Sequence, residues 1–521
     1  MTFARLGQAT HVEFQDVSPP FSNLQFVDTL LPGGDHDAVR RMFSLARRGG
    51  AAALILEDIQ AAGAVEDEIA ELKSLFPGYQ CADLKRLSFW KAPCTASPDV
   101  ARLLDSDLLG YAIIKHDCIA GSFSGWHIFE SVFRKYDHKH NCVPNEPTFT
   151  VRCADRDFGI DGVLYCQQNE LNKACAQVAL RSLLSRVFPD QDILYSEMNR
   201  VARKSASGFI PGGGLTTEQI RAILHHYRIN YDDLDYMTTD GPDVKALLPY
   251  SRLLYAGIEN GLGGLLGFEF SGAGAQGQRH IIPFYGHTFN QDTWVPRASL
   301  AYFHIGDETK YISSEEWVSS FIGHDDNFGC NYCVPRRFLE PIQVKYAVAL
   351  RPTGAAYSAI VAEAIAADCL YSTVNAFQGA DNYWIRRLIH HIVRQDVVLR
   401  TVHVTRDQYA GHLRESRDWL GNSEQADILE SLSDALPEHL WMAEVSIPEL
   451  FPANYRKLGE IILDACVVLD TYPPQGQIWV LARVPGSYLI NENESADFLT
   501  LASGLVSHIE LYNAPDTIDM A

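Results

Sequence analysis

Apolar positions along the chain recur with two periods, about 3.6 where a helix packs on one side and 2 where a strand is half-buried. Asp35 to Arg48 (DHDAVRRMFSLARR) and Val65 to Phe76 have helical spacing, whereas LLGYAIIKHD at 108 to 117 reads as a strand. From Phe149, FTVRCADRDF is strand-like. GVLYCQQNELNKACAQVALRSLLSRVF then runs from an apolar strand through a polar loop into a helix. Asn172 is the expected N-cap of that helix, and Ala176, Val178, Ala179, Leu180, Leu183, Leu184 and Val187 are its apolar positions, so Cys175 falls in the first turn. Thr216 and Gln219 stand at capping-box spacing ahead of a second helix, LTTEQIRAILHHYRI. After Leu262 the pattern turns to strands, at GGLLGFEF, HIIPFYGH, ASLAYFHI and WVSSFIGHDD.

Past residue 340 the chain predicts a strand at QVKYAVALRP, helices near 354 to 376 and 381 to 393, and strands at LWMAEVSI, GEIILDACVVL and QIWVLARV. Single cores stop growing near ~250 residues, and 521 residues with no internal repeat are expected to divide into three units. These are an α/β region over 1–150, a unit over 151–340 that is helical first and β second, and an α/β region over 341–521. The fold class expected is α+β.

Composition removes several function classes. Apolar residues make up 47% and charged residues 21% of the chain, ordinary usage for a folded protein. Lys plus Arg number 43 against 65 Asp plus Glu, a formal charge of −22, and such a field repels phosphate backbones and anionic lipid. Neither nucleic acid nor a membrane is expected as a general partner. The first residues, MTFARLGQATHVEFQD, show no apolar signal stretch, and no run approaches the ~18 apolar residues of a membrane span. A cytoplasmic location, or export without a cleaved signal, is the expectation. Eleven cysteines, an odd number, read as reduced thiols, most of them buried as small hydrophobic residues.

A thiol attacks a carbonyl as its thiolate, which is favoured at a helix N-terminus and beside an imidazolium. Cys175 meets the first condition. The second needs a histidine from a later rigid segment, itself oriented by a third polar group. His280 begins HIIPFYG, which runs to Gly286, and FIGHDDNFG carries Asp326 with Asp325 beside it. With Gln168 ahead of the thiol, residues 151–340 resemble the papain-like cysteine peptidases, especially bacterial bacteriocin-leader-type relatives. The resemblance covers at most about 190 of the 521 residues. It implies a papain-like central domain with Cys175 as nucleophile, His280 as base and Asp326 as orienting group. The oxyanion donor would be Gln168 by residue type or Asn169 by spacing. The 46 residues from His280 to Asp326 are long for the family and imply an inserted loop around 288 to 315, whose Asn290, Asp292 and Asp307 are alternative orienting groups.

The implied function is acyl transfer, as a cysteine peptidase or isopeptidase acting on a peptide or protein amide. Transglutaminase or deamidase chemistry through the same thioester is the near variant. The contrasting reading is a catalytically silent papain-like scaffold, in which Cys175 is only a small buried side chain. Other motifs read as structure. Cys330 and Cys333 form a lone C-x-x-C without a second half-site, DHKHNC at 137 to 142 is a polar turn, and His225 and His226 form a solvated helix edge. The glycines at 212 to 214 lack the Lys and Ser/Thr of a phosphate loop. No cofactor and no metal are expected.

Overall fold

The computed structural model describes residues 3–17, 23–31, 37–135, 141–172, 174–205, 210, 213–237, 248–270, 278–296, 311–336, 343–377, 382–416, 435–469, 478–485, 487–492, 495–500 and 508–512. The fold is α+β, built on three large sheets. The first is an antiparallel meander of β1 (Ala9–Asp16), β2 (Ala53–Ile59), β3 (Tyr79–Trp90), β4 (Leu108–Ile119) and β5 (Phe123–Phe133). Helices α1 (Asn23–Leu30) and α2 (Asp37–Arg48) pack on one face, and α3 (Ala64–Leu75) on the other. β2 is therefore buried at nearly every position: Leu54 and Leu56 enter the α2 core while Ala53 and Ile55 enter the opposite one.

After β6 (Asn141–Cys142), a hairpin of β7 (Thr148–Cys153) and β8 (Arg156–Asp161) leads to a helical run, α4 (Cys175–Val187), α5 (Tyr195–Ser205) and α6 (Thr217–His226). Thr216 and Gln219 form the predicted capping box on α6. The central sheet uses β9 (Asn230–Asp235), β10 (Gly264–Phe270), β11 (Gln278–Phe289), β13 (Val318–Asp325), β14 (Gly329–Pro335) and β15 (Val344–Arg351) in the order β14-β13-β11-β10-β15-β9. Every pairing in it is antiparallel. Helix α7 (Tyr250–Glu259) packs against β10, β11 and β15. The third sheet is β12-β16-β17-β19-β20-β21-β22, using β12 (Ile312–Ser313), β16 (Val398–Thr405), β17 (His439–Ser446), β19 (Gly459–Asp464), β20 (Trp479–Val484), β21 (Ser487–Glu492) and β22 (Ser495–Thr500). Helices α8 (Ala359–Phe377), α9 (Tyr383–Arg394) and α10 (Arg406–Glu415) accompany it.

Three expectations change. The flanking regions, expected as α/β, carry antiparallel sheets whose one parallel pairing among the described residues is β12 on β16. The division near 340 does not separate the sheets, because β15 inserts between β10 and β9 while β12 pairs with β16. The apolar run at 162 to 166 is not a strand and makes one isolated bridge, Ser131 to Tyr165. ASLAYFHI lies outside the described residues. Among the described residues no helix is long and apolar enough to cross a membrane.

The three regions share cores. Side chains of β4 and β5 pack with α4, and Cys330 of β14 joins the α2 core. A buried ionic chain runs from Glu259 of α7 through Arg400 and Glu444 to Lys457 and Glu460, tying the central sheet to the third. Gly286 marks another junction. A Cβ there would lie 2.8 Å from the Cys142 carbonyl oxygen, so β6 can close on β11 only because the position is glycine.

Candidate functional site

Cys175 is the first residue of α4, with Ala174 as N-cap (φ −95°, ψ 18°). No side chain caps this end and no acidic residue stands in its first turn. Asn172, the expected cap, instead accepts from Gln168 Nε2 at its backbone oxygen, 2.7 Å away. An absent cap costs about 1 kcal/mol and leaves the positive helix end to face an anion. The helix survives this because every residue from Ala176 to Arg186 is buried, between the first sheet on one side and β11 on the other. Arg181 fixes it to β5 through Glu130 at 2.6 Å and the Phe129 carbonyl at 3.1 Å.

His280 lies near the start of β11. The pairing of β11 with β13 sets Phe284 opposite Gly323, so the residues just past β13 come level with His280. The His280 Nε2 is 3.1 Å from Asp326 Oδ1 and 3.5 Å from Asp325 Oδ1. The same ring is hydrogen-bonded to the Cys175 thiol. With Nε2 engaged by carboxylate, Nδ1 is the ring atom left for sulfur. Asn327 Nδ2 lies 3.3 Å from Nε2 and 3.4 Å from Asp326 Oδ1. Once Nε2–H donates to Asp326, that amide can donate only to the carboxylate. Phe268 stands edge-on against the imidazole, with ring centroids 5.6 Å apart.

Burial would lower the pKa of His280, but hydrogen bonds to Asp325, Asp326 and Cys175 and the Asp326 charge outweigh it and push the value up to about 12. The imidazole is therefore cationic at neutral pH. Burial would raise the Asp325 carboxyl, yet the bond and charge of His280 hold it below the usual range. A crevice of about 170 Å³ between α4 and the sheet is walled by Cys175, Val178, Pro283 and Asp326 among others.

Cys175, His280 and Asp326 thus come together as expected, with Asp325 also in reach. Gln168 is not among the residues lining that crevice; its amide braces the loop through Asn172. Asn169, the alternative by spacing, is committed elsewhere, with Nδ2 on Glu68 and Oδ1 accepting from Leu171 and Asn172. In the inserted segment Asn290 caps the Asp292 amide, and neither residue is among the partners of the His280 ring, which are Asp325, Asp326, Asn327 and Cys175. Asp307 and residues 137–140 lie outside the described residues, as do Gly212 and its neighbour 211. Cys330 is buried and Cys333 exposed on β14. His225 faces Tyr231 and His226 pairs with Glu197.

Sequence reasoning missed Asn327 and Phe268 as neighbours of the base, and it missed a second thiol–imidazole–carboxylate cluster, Cys142, His287 and Glu259. His287 lies seven residues beyond His280 on the same strand, wholly buried and bonded to Glu259. Two sets among the described residues are close enough to share a cation, this one and His280 with Asp325 and Asp326. Arg400 already neutralises Glu259 in the first, and in the second a cation would displace the proton that Nε2 gives Asp326. Comparison of the chain with family models, with curated proteins and with solved structures finds no match.

Proposed function

We propose that the chain is a papain-like thiol-dependent acyl-transfer enzyme, a cysteine peptidase or isopeptidase acting on a peptide or protein amide bond. The observation that carries this reading is the relay in which the Cys175 thiol bonds His280 and His280 Nε2 meets Asp326 Oδ1 at 3.1 Å. A buried helix delivering the sulfur, and a packed antiparallel sheet delivering base and orienting carboxylate, support the papain-like reading.

The Cys175 thiolate attacks the carbonyl carbon, and the carbonyl π electrons move onto oxygen. Backbone N–H groups in the first turn of α4, left without a side-chain cap, stabilise that oxyanion, each worth roughly 3 kcal/mol. Imidazolium His280 protonates the leaving amine as the C–N bond breaks, leaving a thioester and a neutral ring. That ring then takes a proton from water, whose oxygen attacks the thioester and releases the acid. Asp326 holds the ring in one orientation and stabilises its cation throughout.

The test is covalent labelling with a thiol-directed peptidyl probe, followed by peptide mapping. One adduct at Cys175, lost in Cys175→Ala and in His280→Ala, is the expected result. Labelling that persists unchanged in Cys175→Ala removes the nucleophile and leaves the scaffold reading.

A further inference from the structure

Beside the start of α4 lies a narrow, partly open recess, framed by α3, α5 and the loop that precedes the nucleophile. Ala174 and Val178, which bracket Cys175 on the helix, form part of its wall, and Val178 also lines the crevice at the sulfur. No lysine or arginine is among the residues that line it. Its polar lining includes Glu68, Glu71, Asn172, Gln177 and Asn199.

The hydrogen-bond sense of this lining is fixed. Glu71 Oε1 accepts from Asn199 Nδ2 at 2.8 Å, so the Asn199 oxygen must face the other way, where it accepts from Gln177 Nε2 at 3.1 Å. Reversing Asn199 would set its oxygen against the Glu71 carboxylate, and reversing Gln177 would set two amide oxygens against each other. Gln177 Oε1 is consequently left over: the residue is 4% exposed and that oxygen has no partner. Asn172 Oδ1 is likewise buried without a partner. Lys115 balances Glu68, whereas the cation that acts on Glu71, Arg203, is not among the residues that line the recess. The recess therefore holds two buried acceptors without donors, next to a nucleophile.

We infer that this recess is the specificity pocket of the enzyme and takes the ammonium or guanidinium group of a basic residue beside the scissile amide. The inference rests on the acyl-transfer reading above. A basic side chain would donate to Gln177 Oε1 and Asn172 Oδ1 and set its charge against Glu71. Burial pushes the Glu71 carboxyl up, against the Asn199 bond and the Arg203 charge, a state that a bound cation relieves further.

Two peptidyl acyloxymethyl ketones differing only in Lys or norleucine at the residue bearing the reactive ketone, and a second such pair varied one residue earlier, test this on the full chain. In one pair the Lys probe should label Cys175 roughly tenfold faster or more, the yield of one charge-assisted contact. Glu71→Gln should bring that ratio close to one. Equal labelling of Cys175 by Lys and norleucine in both pairs overturns the pocket while leaving the enzyme reading intact. No adduct at Cys175 with any of the four probes removes the acyl-transfer reading, and the pocket with it.

Discussion

Asp326 Oδ1 stands 3.1 Å from His280 Nε2, on a side chain only 4% exposed, whereas Asp325 reaches the same nitrogen at 3.5 Å from a side chain 18% exposed. The closer and drier carboxylate is the better placed to hold the ring, because water screens the other, although the Asp325 bond also raises the His280 pKa. Asp326→Ala should therefore cost roughly 10²-fold in the rate of probe labelling at Cys175, the scale of a general acid–base contribution. Asp325→Ala should cost less than about tenfold, since Asp326 stays in place. Labelling rates for the two variants at pH 7 decide the matter, and the reverse order would transfer the orienting role to Asp325.

The raised pKa of His280 predicts how reactivity depends on pH. A group whose folded pKa is about 12 rather than 6.5 carries its proton across the neutral range and gives it up only as pH climbs toward 12. The sulfur consequently faces a cation already at pH 6, where an ordinary thiol of pKa ~8.5 is almost wholly protonated. Iodoacetamide should modify Cys175 nearly as fast at pH 6 as at pH 8. In His280→Ala the rate should follow an ordinary thiol and fall roughly tenfold or more between those values. A native rate that rises only above pH 8 would count against the ion pair.

Much of this site can be read along the chain because its signals are local. Cys175 opens an unbroken apolar helix, and His280 sits a fixed distance before Gly286, a glycine kept by the close approach of the Cys142 carbonyl. Asp326 follows directly on β13. What was missed depends on distant segments. The β15 strand is apolar at core positions in any sheet, and only its pairing with β10 and β9 assigns it to the centre. The run 162 to 166 is apolar because it is buried between sheets, so hydrophobicity alone mimics a strand. Cys142, Glu259 and His287 come from three separate elements and leave no spacing to recognise. Asn172 has the right residue type for a cap, yet its backbone is held by Gln168 in the turn before the helix.

His324, two residues before Asp326, is a neutral brace whose effect appears in acid. Its Nε2 lies 3.3 Å from the Val163 carbonyl and its Nδ1 accepts from the Asn331 backbone amide at 3.2 Å, while the Tyr285 hydroxyl, also 3.2 Å from Nδ1, donates to Asn331 Oδ1 at 2.6 Å. Burial lowers its pKa to about 3, against the smaller raising effect of the Val163 bond. Below pH 6.5 the unfolded chain binds a proton that the fold refuses, so stability declines as pH falls from 6.5 toward 3 and is unaffected by this group above 6.5. One such proton contributes up to about 1.4 kcal/mol per pH unit. Urea denaturation of the native chain and of His324→Gln at pH 7, 6 and 5 should show a shallower acid decline in the variant. Identical slopes would mean that other groups govern the acid limb.

Arg181 ties the nucleophile helix to the first sheet, and its removal separates stability from chemistry. The guanidinium is 1% exposed, donates to Glu130 Oε2 at 2.6 Å and to the Phe129 carbonyl at 3.1 Å, and lies 4.3 Å from the centroid of the Phe129 ring. Glu130 is equally buried, and its next cation, Arg5, is 3.8 Å away. Arg181→Ala leaves that carboxylate without its close partner, which costs roughly 3–5 kcal/mol for a buried pair. Arg181→Met with Glu130→Leu removes both charges and refills the volume, so it should be markedly milder. Because Arg181 touches neither the Cys175 sulfur nor the His280 imidazole, its own sulfur contact being Cys166 Sγ at 3.1 Å, the single variant at low temperature should still label at Cys175 at a rate within a few-fold of the native chain, and it should lose labelling only where urea or heat unfolds it. Loss of labelling while the protein remains folded would instead mean that Arg181 positions the first turn of α4, and that the first sheet belongs to the catalytic unit itself.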